Sequence, residues 1–464
     1  MSVKSGKNRR ADWRTTGKER VSYYLGDNAK SMEGQLVQIF MMTFLLFSGV
    51  NLVAVATVTL AVKVIDALDD VIFGYFVDRI KPNQIRVLAK IAGNGRYLPW
   101  YRLTFWMFPL ATVLLFRMPQ GVGDWVKIAW FAFFYFLYDL TFTLIDIPMN
   151  AVVMTITSNP EERNAIVTNK MIITVILIIV SVPLMNFMIS EYVGMSIPNV
   201  ALVMSIIFVA MMLPLVFVTK EHNVNAEVEK NEKYTLKEMF INLKSNKFLM
   251  YLFISNILYG CFRSGDAIIL FASYYLYGNS QVLMIPVLIA LIPTVIMQKY
   301  TETLCRKYDK YKVALIAQSV HFALRLLIFI IGYRYLPLHV GLLVVTAIPS
   351  ITHEMSTRYM VLDCIEYGKF KSGKECAGIT FALSSFISKV SLSVASSLCM
   401  IILGIFGWVA INAESFAEIA EKNITQPPSA LTGLWVVYAG TWVVGIGLCL
   451  IFLAFYRLKN KDVA

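Results

Sequence analysis

The sequence predicts an all-α polytopic membrane protein, with twelve transmembrane helices in two six-helix bundles. Three observations predict it. The 464 residues are 57% hydrophobic and only 16% charged, which leaves too little polar surface for a soluble chain of this length. Apolar runs such as QIFMMTFLLFSGVNLVAVATVTLAV and LWVVYAGTWVVGIGLCLIFLAFY recur from end to end, and ~20 residues of helix cross the hydrocarbon of a bilayer. One long polar connector, KEHNVNAEVEKNEKYTLKEMFINLKSNK, divides these runs six and six. Helices suit such runs because they satisfy their own backbone hydrogen bonds in lipid.

In chain order, residues 1–21 form a basic N-terminus without the apolar centre of a cleaved signal peptide. Spans are expected at 22–49, 52–79, 101–118, 125–152, 165–189 and 197–219, making an N-terminal half over 22–219. A linker, 220–247, follows, and its TLKEMFINLKSNK stretch reads as an amphipathic helix at the membrane surface. Spans at 248–277, 282–303, 312–333, 338–362, 377–408 and 432–456 make a C-terminal half over 248–456, and 457–464 is a short tail.

The net charge is +12, and its placement carries the information. Lys and Arg crowd the N-terminus, Arg79 to Arg102, Lys220 to Lys247, CRKYDKYK, YGKFKSGK and RLKNKD, whereas WVAINAESFAEIAEKNITQPPSA is acidic. By the positive-inside rule both termini are cytoplasmic. The basic excess therefore reads as membrane topology and not as nucleic-acid binding. A multi-pass protein of a bacterial inner (cell) membrane is expected, monomeric and surrounded by lipid. The six Cys show no metal-like clustering and read as small apolar fillers or free thiols.

Charge inside the spans is harder to explain. KVIDALDDVIFGYFVDRI puts Lys63, Asp66, Asp69 and Asp70 on one helical face. Asp139, Thr143, Asp146 and Asn150 form a narrow stripe on the fourth span, and Tyr24, Asn28, Ser31, Gln35 and Gln38 another on the first, with Asp27 at its margin. Ser385, Lys389, Ser393 and Ser396 align on the eleventh span, Ser350, His353, Glu354 and Thr357 on the tenth, and Asn256 and Arg263 on the seventh. Such stripes face other helices or water, never lipid. The Ser residues read as small packing contacts. The acids of span two do not: one Lys cannot balance three carboxylates, so some are protonated or a cation sits among them. Carboxylate and hydroxyl oxygens suit a hard cation such as Na⁺.

The segment KVIDALDDVIFGYFVDR resembles the second-helix signature of the glycoside–pentoside–hexuronide:cation symporters, the melibiose-permease-like branch of the major facilitators. GNGRYLPWYRL, LTFTLIDIPMNAV, NPEERNAI, YTLKEMFINLKSNKFLMYLF and DCIEYGKFKSGKECAGITFALSSFISKV are similar to further family motifs in the same order. The resemblance implies the major-facilitator fold and a cation site at Asp66, Asp69, Asp70 and Thr143, with Na⁺ at Asp66 and Asp70. It implies a substrate-contacting carboxylate at Asp146, with Asn150, Ser31, Glu354 and Lys170 at the other substrate positions. It gives coupling roles to Lys389 and Lys63. Ser31 stands where the family has a helix-one Asp, Asn150 and Glu354 where it has Trp, and Lys170 is the nearest counterpart of its helix-five Arg. The cation half is thus kept and the sugar half rewritten, and extra acids at Asp139 and Glu354 suit a differently shaped or partly cationic solute.

The expected function is secondary symport of a small polar solute, a sugar or glycoside, with Na⁺ or H⁺ as the coupling ion, by alternating access. No cofactor is expected. The alternatives are a non-sugar or lipid-like solute and a non-transporting membrane sensor. An enzyme is not expected: His222 and His339 read as loop residues, and His321 and His353 lie on spans without a nucleophile or metal partner in clear spacing.

Overall fold

The computed structural model describes residues 13–62, 90, 93–222, 246–372 and 377–458. Lys63, Asp66, Asp69, Asp70 and the linker from 223 to 245, with its expected amphipathic helix, lie outside the described residues. The described chain is helical apart from its connections, with one isolated bridge between Ser48 and Asn412. It divides into two compact units, Met1–Phe44 with Val64–Asn231, and Leu45–Lys63 with Glu232–Ala464.

The first unit contains α1 (Gly17–Phe47) up to Phe44. The rest of its described helices are α3 (Leu98–Thr104), α4 (Met107–Phe116), α5 (Asp124–Ile156), α6 (Pro160–Ile189) and α7 (Ile197–Val218). The span expected at 101–118 is two helices, and Pro109 supplies the reason. It has no N–H to return to the Phe105 carbonyl, and its ring crowds that carbonyl, so the helix stops at Thr104 and restarts at Met107. α4 packs on α5 and α7, with Phe108 wedged against Tyr138 and Phe142 at 5.3 and 5.5 Å between ring centres.

The second unit begins with the end of α1 and α2 (Leu52–Val62). It continues through α8 (Lys247–Cys261), a 3₁₀ stretch Ser264–Ile268, α9 (Ile269–Tyr277), α10 (Met284–Lys307), α11 (Lys310–Ile331), α12 (Leu336–Ser372) and α13 (Ala377–Ile405). After α14 (Phe416–Glu421) and α15 (Pro428–Trp435), a π-helical stretch Val436–Gly440 leads into α16 (Thr441–Phe455). α12 is the longest described helix at 37 residues and continues ten residues past the expected 338–362. Nothing in an aqueous turn of helix requires it to end at the bilayer surface. Here the extension is held by an ion pair from Lys310 to Asp363 and a 2.8 Å bond from the Asn246 amide to the Cys364 carbonyl. His339, read as a loop residue, sits instead in the first turn of α12, buried, with its ring 3.3 Å from the Tyr438 hydroxyl. Cys261, Cys305, Cys364, Cys399 and Cys449 are buried thiols, none of them in a disulfide.

Eight described helices are long and apolar enough to cross a membrane. The remaining expected spans fall short for visible reasons. α1 carries Asp27, Lys30 and Glu33, the third and seventh expected spans are broken, and the second is described only from Leu52 to Val62. The 3₁₀ stretch packs on the π-helical one. Gly265 lies so close there that a Cβ would fall 2.4 Å from the Tyr438 carbonyl oxygen. Irregular backbone at membrane depth is tolerated only in such protected settings or beside water.

Candidate functional site

In the first unit, α1, α5 and α6 bring four opposite charges into one line. The Lys170 ammonium lies 2.9 Å from Oδ2 of Asp27. The other Asp27 oxygen is 3.2 Å from the Lys30 ammonium, which lies 2.6 Å from Oδ1 of Asp146. Oδ2 of Asp146 accepts a 2.9 Å bond from the Asn150 amide one turn along α5. Pro148 stands between those two residues and withholds a backbone donor from the Leu144 carbonyl.

Exposure grades along this line. Asp27 and Lys30 are 3% and 5% exposed, whereas Lys170 is 24% and Asp146 32%. Two buried charges at the centre are tolerable because each has opposite charge on both sides; a lone ion there would cost several kcal/mol, of order ~3–5 if stripped of its partner. The ends of the line stay wet. Asn28 steadies the array, reaching the Lys170 carbonyl and accepting from Thr174 on the same helix. The arrangement offers alternating ammonium donors and carboxylate acceptors, with zero net charge, which is what paired hydroxyls of a polar solute engage.

The expected substrate residues are distributed unevenly. Asp146, Asn150 and Lys170 belong to the line. Ser31 is beside it, but its hydroxyl donates to the Asp27 carbonyl of its own helix. Glu354 lies in the second unit and pairs with Arg358 one turn on at 2.7 Å, so it brings no free negative charge. Thr143 and Asp139 are buried on α5, and both are engaged by partners. Lys389 is half-buried on α13 and likewise engaged. The hydroxyls of Ser388, Ser393 and Ser396 each return to a carbonyl four residues back, as packing residues do. Lys63, Asp66, Asp69 and Asp70 are outside the described residues, so the cation cluster has no geometry here.

Lys30 is absent from the sequence reading, although it is the ammonium that joins the two carboxylates. Its signal was present: a lysine deep in a span, one turn after Asp27. Glu33 was missed too; it is fully buried and accepts a 2.7 Å bond from the Ser205 hydroxyl of α7. Among the described residues no three His, Cys, Asp or Glu side chains converge as metal ligands would.

A carboxylate hub ties the segment before α1 to the start of α6. Oε1 of Glu162 accepts from the Thr15 backbone N–H at 3.0 Å and from the Thr15 hydroxyl, and Oε2 accepts from the Arg14 N–H at 3.2 Å and the Thr157 hydroxyl at 2.6 Å. Burial opposes ionisation of Glu162, but these donors prevail and hold its carboxyl below the usual range. Glu221 similarly gathers the N–H groups of Arg96, Tyr97 and Leu98 at the start of α3.

A family model described as MFS/sugar transport protein matches residues 22–460. An isoprimeverose transporter of Lactiplantibacillus pentosus is 24% identical, with 96% of this chain aligned to 89% of that protein. A glucuronide carrier protein homolog of Escherichia coli is 24% identical over 98% of this chain and 94% of its own. Among solved structures, a bacterial homolog of the human lysosomal transporter Spinster, in an inward-facing and unoccupied conformation, superposes with a TM-score of 0.64. It covers 95% of this chain and 97% of its own at 12% identity.

Proposed function

The chain belongs to the MFS/sugar transport protein family, and we propose that it is a cation-coupled symporter that carries a sugar or glycoside into the cell by alternating access. The observation that carries this reading is the line Lys170–Asp27–Lys30–Asp146, which joins α1 to the membrane-length helices α5 and α6. A membrane protein keeps such charges at membrane depth for a solute or ion path far more often than for stability. The relatives named for isoprimeverose and glucuronide support a glycosyl solute.

In this reading Asp146, Asn150 and Lys170 hold solute hydroxyls at the wet ends of the line. Lys30 lies closer to Asp146 than to Asp27, so a solute that claims the Asp146 carboxylate leaves Lys30 free to strengthen its pair with Asp27. The coupling ion, Na⁺ or H⁺, is assigned to Asp66, Asp69 and Asp70 with Thr143 on the family resemblance, and Lys63 and Lys389 neutralise those acids when the ion is absent. Each ligand must raise the other's affinity by the same factor. The protein acts as a monomer in the cell membrane with both termini in the cytoplasm.

The test is uptake into proteoliposomes loaded with neither ion nor solute. An inward Na⁺ or proton gradient should drive a radiolabelled glycoside above its external concentration, and Asp66→Asn or Asp70→Asn should abolish that accumulation while leaving membrane insertion intact. Concentrative uptake that persists in either variant removes the proposed cation site. Failure of every glycoside tried in the wild type removes the sugar reading.

A further inference from the structure

Within the second unit a separate charged cluster surrounds the indole of Trp442, which opens α16 just after the π-helical stretch. The Arg325 guanidinium of α11 lies 4.3 Å from the ring centre, and that of Arg263, between α8 and the 3₁₀ stretch, lies 5.2 Å from it. Tyr259 completes the wall, its ring 5.9 Å from Trp442 and 5.8 Å from the Arg263 guanidinium. Arg325 is about 15 residues, or ~22 Å, from the Lys310 end of its helix, so the cluster sits at membrane depth.

The charges do not cancel. Asp266 accepts from Nε and a terminal nitrogen of Arg263, at 3.2 and 3.0 Å. Glu354 is taken by Arg358. Three guanidinium groups thus face two carboxylates, both already paired, and Arg325 is left over. Its one hydrogen bond goes from Nε to the ring Nε2 of His321 at 3.4 Å. An imidazole nitrogen that accepts carries no proton, so His321 aims the guanidinium without neutralising it. The terminal NH₂ groups of Arg325 have no acceptor among the described residues.

Arg263 and Asp266 are 43% and 51% exposed on their side chains and Glu354 is 43% exposed. At membrane depth such exposure means water, because lipid does not tolerate the charges. A half-buried guanidinium, stacked on an indole with its planar fork unused and the exposed Arg263 beside it, is the form in which proteins bind carboxylate and phosphate groups. The irregular backbone supports this reading: the 3₁₀ stretch that carries Asp266 and the π-helical stretch that leads to Trp442 pack against each other, and π-helical insertions recur at functional sites.

We propose that Arg325, with Arg263 and Trp442, forms a site within the second unit for an anionic sugar derivative, its carboxylate or phosphate ester held by the guanidinium groups and its ring lying against Trp442 and Tyr259. The inference rests on the reading of this chain as a glycoside transporter and narrows it to acidic glycosides. It also reverses the expectation that extra acids favour a cationic solute, since Glu354 is neutralised within its own helix.

The experiment titrates the purified full-length chain in detergent with three probes: p-nitrophenyl β-D-glucoside, p-nitrophenyl β-D-glucuronide and glucose 6-phosphate. Affinity is read from ligand-induced thermal stabilisation. One of the two anionic probes should bind roughly tenfold or more tighter than the neutral glucoside, the gain expected of a charge-assisted hydrogen-bonded pair. Which of the two binds tighter assigns carboxylate or phosphate. Arg325→Gln should abolish the preference and Arg263→Gln reduce it, with far smaller losses for the glucoside. Arg325→Lys, which keeps charge but not the fork, should retain part of it. Equal wild-type affinity for neutral and anionic probes overturns the subsite and leaves the glycoside reading standing, as does a preference that survives Arg325→Gln. Binding of none of the three overturns both.

Discussion

Lys30 is held by two carboxylates at once, and its removal has a calculable consequence. Asp27 is 3% exposed and has Lys30 on one oxygen and Lys170 on the other. Lys30→Met leaves that carboxylate half-compensated in a dry setting, which should destabilise the chain by about 3 kcal/mol. Asp146 suffers less because it is 32% exposed and keeps its bond from Asn150. The double variant Lys30→Met/Asp27→Asn removes the stranded charge together with its cause, so thermal stability should recover most of the loss. Uptake should not recover, because the link between the two carboxylates is gone. Thermal melts and proteoliposome uptake on the two variants check this: a double variant as unstable as the single one would mean that Asp27 is held by something other than these ammonium groups. Asp146, Asn150 and Lys170 were legible in the sequence because a carboxamide, a carboxylate or an ammonium inside an apolar run needs a reason. The Arg325–Trp442 contact was not, since 117 residues separate two side chains that only the packing of α11 on α16 brings together.

Individual helices were legible where one physical term dominates and illegible where two compete. The edges of α5, Asp124–Ile156, and of α7, Ile197–Val218, fall within a few residues of the expected 125–152 and 197–219, because an apolar run ending in Gly, Pro or charge marks its own limits. The break after Cys261 has no proline, and it comes from the close approach of Gly265 to Tyr438, a tertiary event invisible in local sequence. The N-cap of α6 was readable in NPEERNAI: Asn159 accepts from the Glu161 N–H at 2.9 Å, as a capping side chain should. Its role as a clasp for the N-terminal segment was not. Glu162, fully buried, ties Arg14 and Thr15 to α6. Its carboxyl is held below the ordinary value of 4.5, so the clasp contributes fully above that value and is lost as pH falls through the lowered one. Glu162→Gln should therefore cost about 1–3 kcal/mol at neutral pH, and the difference from wild type should shrink as pH falls below 4.5 and through the lowered value. Thermal unfolding of both proteins in detergent across pH 3 to 7 would show it. A difference that does not vary with pH would assign the loss to shape and not to the charge.

At the scale of the molecule, orientation in the membrane follows from where the charges lie, not from how many there are. Two connections show the contrast. Arg306, Lys307, Lys310 and Lys312 crowd the connection between α10 and α11, whereas the connection between α13 and α15 carries Glu414, Glu418 and Glu421 against Lys422. Lys422 is bound there, 2.5 Å from Glu418, and Glu418 also receives the Glu414 N–H. Bases near membrane edges resist transfer across the membrane during insertion, and acids resist it little. The segment with Ser415 should therefore face the outside and the segment with Ser372 the cytoplasm. One orientation satisfies both, because α13, which is long and apolar enough to cross a membrane, lies between them. It also carries a functional condition: uptake driven by an inward cation gradient requires the cation and the solute to enter from the face on which Ser415 lies. Single-cysteine variants Ser415→Cys and Ser372→Cys, in a background without native cysteines, can be labelled in intact cells with a membrane-impermeant maleimide. Ser415→Cys should react directly and Ser372→Cys only after the cells are permeabilised. Labelling of Ser415→Cys only after permeabilisation would invert the chain, and with it the direction in which the Lys170–Asp27–Lys30–Asp146 line is loaded.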